Sequence, residues 1–112
     1  MAKVVITENL EKEINKKFKK ESIKIFEFMH SLKDNPKKGK AVGKVGGIVM
    51  KELKYKSFRF YFITDGHKLK VLGTEELKDL LIKFVRMSDK KSQQKTIDEI
   101  KSVLRTLGNE WF

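Results

Sequence analysis

The sequence predicts an α+β fold, in which an N-terminal strand and a helical hairpin pack on an antiparallel sheet that is followed by a C-terminal helix. Apolar residues recur at helical spacing over residues 8–33, and β-branched and aromatic runs dominate from residue 48 onward. Residues 92–107 return to helical spacing. Because the late strands follow one another through short connections, we expect them to pair antiparallel, with helices on one face and the other face free.

The N-terminal part predicts one strand and two helices. Residues 3–7 are rich in β-branched side chains, and Thr7 is suited to cap a helix. The spacing predicts helices over about residues 8–20 and 22–33, carried by Leu10, Ile14, Phe18, Ile25, Phe28, Met29 and Leu32. These helices are expected to form an antiparallel hairpin. The alternative is one continuous helix, since the charged break between them holds no Gly or Pro.

The central part predicts a loop and then four strands. Pro36 ends the helical region, and residues 36–47 hold four glycines and four lysines, which indicates a cationic loop. The strands are expected at residues 48–56, 58–64, 68–72 and 80–88. Asp65-Gly66 is a strong signal for a hairpin turn.

The C-terminal part predicts a connection and a helix. Residues 73–79 are short and acidic, and are interpreted as a longer connection. The helix is expected over residues 92–107, where Thr96 and Glu99 have the spacing of a capping box and Gly108 is a natural stop. The 112 residues are the size of one domain, so a single domain over residues 1–112 is predicted.

Composition limits the classes of function. No apolar run approaches the ~18 residues that a membrane span needs, and the N-terminus has no signal-peptide pattern. The chain has no cysteine, which excludes disulfides and thiolate metal sites and favours a reducing, cytoplasmic location. The net charge of +11 predicts a polyanionic partner, with nucleic acid first and a membrane surface or an acidic protein next. A lysine-rich surface of the thermophile type also contributes to this charge.

Several segments, in order, resemble the RelE/ParE toxin superfamily. The first is Asn35-Pro36-Lys37-Lys38-Gly39-Lys40, followed by residues 46–54 (Gly-Gly-Ile-Val-Met-Lys-Glu-Leu-Lys). Phe58-Arg59-Phe60-Tyr61-Phe62 then stands where the family has an aromatic-Arg strand, and residues 89–96 with Glu99 and Ile100 are similar to its basic turn and last helix. The match covers most of the chain, although residues 73–78 are longer than in the family.

The resemblance implies a toxin that cuts mRNA on the ribosome and is neutralised by a cognate antitoxin. Such enzymes use neither metal nor cofactor: the 2′-hydroxyl of the RNA attacks the adjacent phosphate, a base takes its proton, and an acid protonates the 5′-oxygen. Cations stabilise the transition state, a task that arginine suits because it is always charged and grips phosphate with two donors. No membrane partner is expected.

The family places its phosphate-contacting arginine at Arg59, which strand alternation puts with Tyr61 on the open face if Phe58 and Phe60 face the core. Glu52 and Lys54 share a face of the preceding strand, and Glu52 stands where the family often has a lysine. Glu52 is a candidate general base, or it neutralises a neighbouring lysine. The catalytic set implied is Arg59, Lys54, Glu52 and Lys91, and the RNA-contacting set is Lys51, Tyr61, Arg86, Lys90 and Lys95.

The last helix departs from the family. Many active relatives have a Tyr or His there, whereas this chain has Lys95-Thr96-Ile97. This departure leaves open two alternatives, a ParE-type toxin that inhibits a topoisomerase without chemistry and a non-toxic basic RNA-binding protein of the same fold. His30 and His67 have no partner at metal-ligand spacing, so no metal site is expected.

Overall fold

In the computed structural model, which describes residues 1–108, 110 and 112 apart from the side chain of Thr74, five strands form one mixed sheet. The elements, in chain order, are β1 (Lys3–Ile6), α1 (Glu8–Phe18), α2 (Ser22–His30), β2 (Lys40–Val45), β3 (Ile48–Tyr55), β4 (Phe58–Asp65), α3 (Gly66–Val71), β5 (Leu81–Asp89) and α4 (Gln93–Leu107). The strand order is β1-β5-β4-β3-β2. β1 runs parallel to β5 and the other neighbours are antiparallel, so the α+β class is confirmed and the purely antiparallel sheet is wrong.

The N-terminal helices are separate, as the hairpin interpretation required. Thr7 caps α1 by accepting a hydrogen bond from the amide of Leu10 at 3.3 Å. The chain then breaks at Lys19, which has a φ of 52°, a value that a continuing helix does not allow. After a short 3-10 turn, the buried hydroxyl of Ser22 donates to the carbonyl of Ile14 at 3.1 Å and ties the start of α2 to α1.

The predicted loop over residues 36–47 is wrong in its second half, because Lys40–Val45 forms β2. Gly46-Gly47 is the turn between β2 and β3, and Gly46 has a positive φ of 59°. Gly43 also lies within β2 rather than in a loop. A Cβ on it would lie 2.7 Å from Cε of Lys101, so the end of the lysine side chain from α4 occupies the space that the glycine leaves.

The predicted strand over residues 68–72 and the hairpin turn at Asp65-Gly66 are also wrong. Asp65 caps α3 instead, because its carboxylate accepts from the amide of Lys68 at 3.0 Å. Asp is favoured both in turns and at helix N-caps, so the dipeptide alone did not distinguish them. Leu69 and Leu72 pack against the core at helical spacing.

The C-terminal helix is confirmed, with its end at Gly108, whose amide donates to the carbonyl of Leu104. Its predicted capping box is wrong. The helix begins at Gln93, so Thr96 is inside it and buried rather than at the cap.

Helices cover both faces of the sheet, which corrects the expectation of one free face. α1 and α2 bury Leu10, Ile14, Ile25 and Met29 against Phe60, Phe62 and Phe84 on one face. α4 buries Ile97, Ile100 and Leu104 against Met50, Tyr61 and Val85 on the other. The structure therefore has two cores, one on each face of the sheet.

Within the described residues, none of the helices has both the length and the apolar character needed to cross a membrane.

Candidate functional site

Strand pairing brings three of the four predicted catalytic residues together. Lys54 on β3 is directly opposite Arg59 on β4, and Glu52 is opposite Tyr61. Residues opposite each other on paired strands, and those two positions apart, project to the same face. Glu52, Lys54 and Arg59 therefore share the face that α4 partly covers.

Glu52 and Arg59 form a buried ion pair with loose geometry. Nε of Arg59 lies 3.6 Å from Oε2 of Glu52, and only 10% and 11% of the two side chains are exposed. Nη1 of Arg59 donates to the carbonyls of Phe58 at 3.1 Å and Lys56 at 3.5 Å. Oε2 of Glu52 is buried and accepts no hydrogen bond within the described part of the chain. An acceptor in that state is unusual, because buried carboxylates are normally satisfied.

A basic cleft of about 480 Å³ opens over this pair. It is lined by Phe28, Lys38, Gly39, Lys40, Glu52, Leu53, Lys54, Arg59 and Gln93. Four of these side chains are cationic and one is a carboxylate, so the potential in the cleft favours an anion. We name it the arginine cleft.

Sequence reasoning missed Lys38, Lys40 and Gln93 as members of the arginine cleft. Lys40 begins β2 opposite Glu52, and Nζ of Lys38 lies 4.8 Å from the centre of the Phe28 ring. A strand assignment for residues 40–45 would not have been enough, because a regular register places Lys40 opposite Leu53, and it is the bulge between Ala41 and Gly43 that puts it opposite Glu52. Gln93 lies within the segment 89–96 that resembles the family, but no signal distinguished it from its neighbours.

Tyr61 shares the face of Arg59, as predicted, but that face is not open there. Tyr61 is fully buried against α4, and its hydroxyl is 2.8 Å from that of Ser88. Burial raises the pKa of the Tyr61 hydroxyl. The structure thus contradicts a role for Tyr61 as an accessible RNA contact.

The basic turn lies beside the arginine cleft rather than in it. Lys90 and Lys91 are exposed between β5 and α4, and the side-chain amide of Gln93 donates to the carbonyl of Lys90 at 2.9 Å. The carboxylate of Asp89 accepts from the amide of Ser92 at 2.8 Å, which lowers the pKa of Asp89 and orders the turn. Lys91, the fourth predicted catalytic residue, is near the cleft but does not line it.

The other predicted RNA contacts are dispersed. Lys51 is opposite Phe62 and so points to the α1/α2 face, away from Arg59. Arg86 is half-buried, with its guanidinium carbon 4.9 Å from the centre of the Phe112 ring. Lys95 is exposed on the first turn of α4 and does not line the cleft.

In the described residues, no three His, Cys, Asp or Glu side chains are grouped closely enough to hold a metal ion. A lone histidine such as His30 is weak evidence for a metal site. Its Nδ1 is buried and makes no hydrogen bond in the described part of the chain, and burial lowers the pKa of the imidazole.

Comparisons with protein-family models, with curated proteins and with solved structures gave no match to this chain.

Proposed function

We propose that this chain is a RelE/ParE-type toxin, a metal-independent endoribonuclease that cuts mRNA on the ribosome. The observation that carries the proposal is the loose Glu52–Arg59 pair at the base of the arginine cleft. It places a carboxylate with an unused oxygen beside a guanidinium and three lysines, in a position that the sequence resemblance associates with phosphate binding.

The groups present match the chemistry. The RNA 2′-hydroxyl donates its proton to the carboxylate of Glu52, whose side chain lines the arginine cleft, as the hydroxyl oxygen bonds to phosphorus and the bond from phosphorus to the 5′-oxygen breaks. Arg59 and Lys54 stabilise the additional negative charge on the phosphate oxygens. The leaving 5′-oxygen takes a proton from an ammonium group, Lys54 or Lys91. The products are a 2′,3′-cyclic phosphate and a 5′-hydroxyl.

Energetics favour a functional role for the pair. Burying two charges costs solvation energy, which is recovered only when the geometry is good and the remaining acceptors are satisfied. Here the separation is 3.6 Å and an oxygen of Glu52 has no donor within the described residues. Two well-packed hydrophobic residues at these positions would stabilise the fold to a similar degree. The Glu52–Arg59 pair is therefore better explained by binding or chemistry than by stability.

A second candidate is a binding protein without chemistry, either a topoisomerase inhibitor of the ParE type or a non-toxic RNA-binding protein. Two observations favour it. The first turn of α4, Gln93-Gln94-Lys95-Thr96, has no Tyr or His, and Tyr61 is buried too deeply to stack on a base. The arginine cleft would then hold a phosphate or a carboxylate of the partner.

The deciding experiment is cleavage of mRNA on programmed ribosomes in EDTA. It compares the wild type with Arg59→Ala, a Lys90→Ala/Lys91→Ala double variant, and Lys16→Ala, an exposed helix lysine outside the cleft, as control. We expect cleavage by the wild type and by Lys16→Ala, and a loss of at least about 100-fold in Arg59→Ala. Absence of wild-type cleavage would contradict the nuclease and favour the binding protein, to be tested next by topoisomerase inhibition.

The antitoxin is part of this proposal. The net charge of +11 and the basic cleft favour an anionic partner, and an acidic amphipathic helix has the complementary charge. Such a helix would compete with RNA for Lys38, Lys40 and Lys54.

A further inference from the structure

A second basic cleft, of about 500 Å³, lies on the α1/α2 side of the sheet. It is formed by the segment before β2, the β2–β3 hairpin and α3, and its lining residues are Lys37, Lys44, Gly47, Val49, Lys51, Gly66, His67, Leu69 and Lys70. Four lysines and a histidine converge here, and none of these lining residues is acidic. We name it the lysine cleft.

Lys51 is the unusual member of the lysine cleft. The residue is only 5% exposed, yet its ammonium has no carboxylate partner in the described part of the chain. Nζ donates to the carbonyl of Lys37 at 2.8 Å and lies 5.9 Å from the centre of the Phe62 ring. Burial lowers the pKa of Lys51.

A buried ammonium that has only a carbonyl and a ring for partners is costly, because neither replaces the water that surrounds it in the unfolded chain. Three lysines around it raise that cost by repulsion. An anion in the cleft would offset both effects, because Nζ has two donors left beyond the one that bonds to the carbonyl of Lys37. The buried ammonium of Lys51 is therefore more stable with an anion bound in the lysine cleft than without one.

The two clefts are neighbours. Lys37 lines the lysine cleft and Lys38 the arginine cleft, although their Cα atoms are only about 3.8 Å apart along the chain. Lys51 and Glu52 repeat this relationship on β3, because successive strand residues point to opposite faces. An extended polyanion that occupies one cleft can pass the edge at residues 37–40 and reach the other.

We propose that the lysine cleft binds a backbone phosphate of the RNA strand whose scissile phosphate occupies the arginine cleft. This assignment rests on the proposed function and extends it by naming the path of the substrate. Lys44, Lys51 and Lys70 supply the positive charge that binds the phosphate. Lys37 and Lys38 contact the RNA backbone where it passes from one cleft to the other. The interaction is with phosphate, so it contributes affinity and register without sequence preference.

The test is binding of a short single-stranded RNA with every 2′-hydroxyl methylated, which prevents cleavage. Fluorescence anisotropy is measured over a series of salt concentrations for the wild type and for the Lys44→Ala/Lys70→Ala variant. Lys16→Ala/Lys24→Ala is the matched control, since it removes the same charge from exposed helix positions outside both clefts. Both cleft lysines are exposed, so their removal leaves the cores intact.

We expect the cleft variant to bind RNA severalfold more weakly than the control. The slope of log affinity against log salt should fall by about 0.7 for each phosphate that the variant no longer neutralises. Equal affinity and equal slopes in the two double variants would overturn the inference while leaving the nuclease proposal intact. Conversely, cleft-dependent binding by a wild type that does not cleave ribosomal mRNA would reject the nuclease and, with it, the assignment of the lysine cleft to a substrate strand, and would leave the lysine cleft as a site for RNA that is bound without being cut.

A second arm separates RNA from free phosphate as the ligand. The NMR amide signals of Val49 and Lys51 are followed during titration with the methylated RNA and, separately, with inorganic phosphate. Shifts at lower RNA than phosphate concentration support the assignment. Shifts with inorganic phosphate alone would overturn it in favour of a small phosphate ligand.

Discussion

Glu52 and Arg59 lie diagonally across β3 and β4, with Oε2 of the carboxylate 3.6 Å from Nε of the guanidinium and both side chains almost fully buried. The guanidinium also donates to the carbonyl of Phe58, whereas the facing carboxylate oxygen accepts no hydrogen bond in the described part of the chain. The buried carboxylate of Glu52 therefore relies on Arg59 for compensation of its charge more than the guanidinium of Arg59 relies on Glu52.

Loss of Arg59 should therefore destabilise the fold more than loss of the charge on Glu52. Arg59→Ala leaves a buried carboxylate without a counter-charge and is expected to cost about 3 kcal/mol, whereas Glu52→Gln should cost about 1 kcal/mol. Urea unfolding followed by circular dichroism measures both. An Arg59→Met/Glu52→Leu double variant, which removes both charges, should recover most of the stability. No recovery would show that the pair is not coupled.

Activity should depend strongly on Glu52 if Glu52 is the base, although its substitution costs little stability. Glu52→Gln retains the shape of the side chain and removes its ability to take a proton, so cleavage of ribosomal mRNA should fall by roughly 100- to 10,000-fold. Glu13→Gln, an exposed carboxylate on α1, is the matched control and should cleave normally. Undiminished cleavage by Glu52→Gln would show that Glu52 is not the base and serves only as the counter-ion of Arg59.

Tyr61→Phe separates a structural tyrosine from an RNA-binding one. The variant loses the buried hydrogen bond to Ser88, and the free energy of unfolding should fall by about 1 kcal/mol. RNA affinity should not change, because the ring is fully buried beneath α4. Anisotropy with the methylated RNA checks the second point, and a large drop in affinity at unchanged fold would mean that α4 moves to expose Tyr61.

Gly39 lines the arginine cleft, and a side chain at this position would be strained. It has a φ of 102°, and a Cβ would lie 2.9 Å from Cζ of Phe62 and 3.1 Å from the carbonyl oxygen of Glu52. Gly39→Ala should therefore cost about 2 kcal/mol and weaken RNA binding by displacing Lys38 and Lys40. Gly47→Ala is the matched control: its Cβ would meet nothing within 4 Å and its φ is unstrained, so stability should hardly change. Similar melting temperatures for the two variants would contradict this account.

Glu21 gives a stability that depends on pH. Hydrogen bonds from Lys56, at 2.7 Å, and from the hydroxyl of Tyr55 lower the pKa of Glu21 in the folded state. A carboxyl whose folded pKa is depressed stabilises the protein above its unfolded pKa of about 4.3, and that stability is lost as pH falls through the folded pKa. The melting temperature of Glu21→Gln should accordingly be below that of the wild type at pH 7, and the difference should disappear in acid.

Lys56→Met provides the partner test for Glu21. Because both substitutions break the same interaction, their effects on melting temperature at pH 7 should be less than additive. If the difference in melting temperature between Glu21→Gln and the wild type stays constant down to acid pH, the charge of the Glu21 carboxylate contributes nothing to stability.

The sequence predicted most elements because their signals are local. The period of Leu10, Ile14 and Phe18 indicates α1 whatever packs against it, and the aromatic run at residues 58–62 indicates β4. Alternation was enough to place Glu52 with Lys54 on one face of β3 and Arg59 with Tyr61 on one face of β4, and the pairing of Lys54 with Arg59 in the structure then puts all four on the same face of the sheet. The errors at β2 and α3 occurred where glycines and an Asp-Gly pair permit more than one local structure.

What the sequence by itself determined, then, is the α+β class, the strong positive charge and the strands that carry the Glu52–Arg59 pair. Only the tertiary structure decided which faces are covered. α4 packs on the face expected to be open, so Tyr61 is buried, while Lys51 points to the opposite face and joins Lys44 and Lys70. Alternation along a strand divides its residues between two faces, but which face a helix then covers depends on packing between residues distant in the chain.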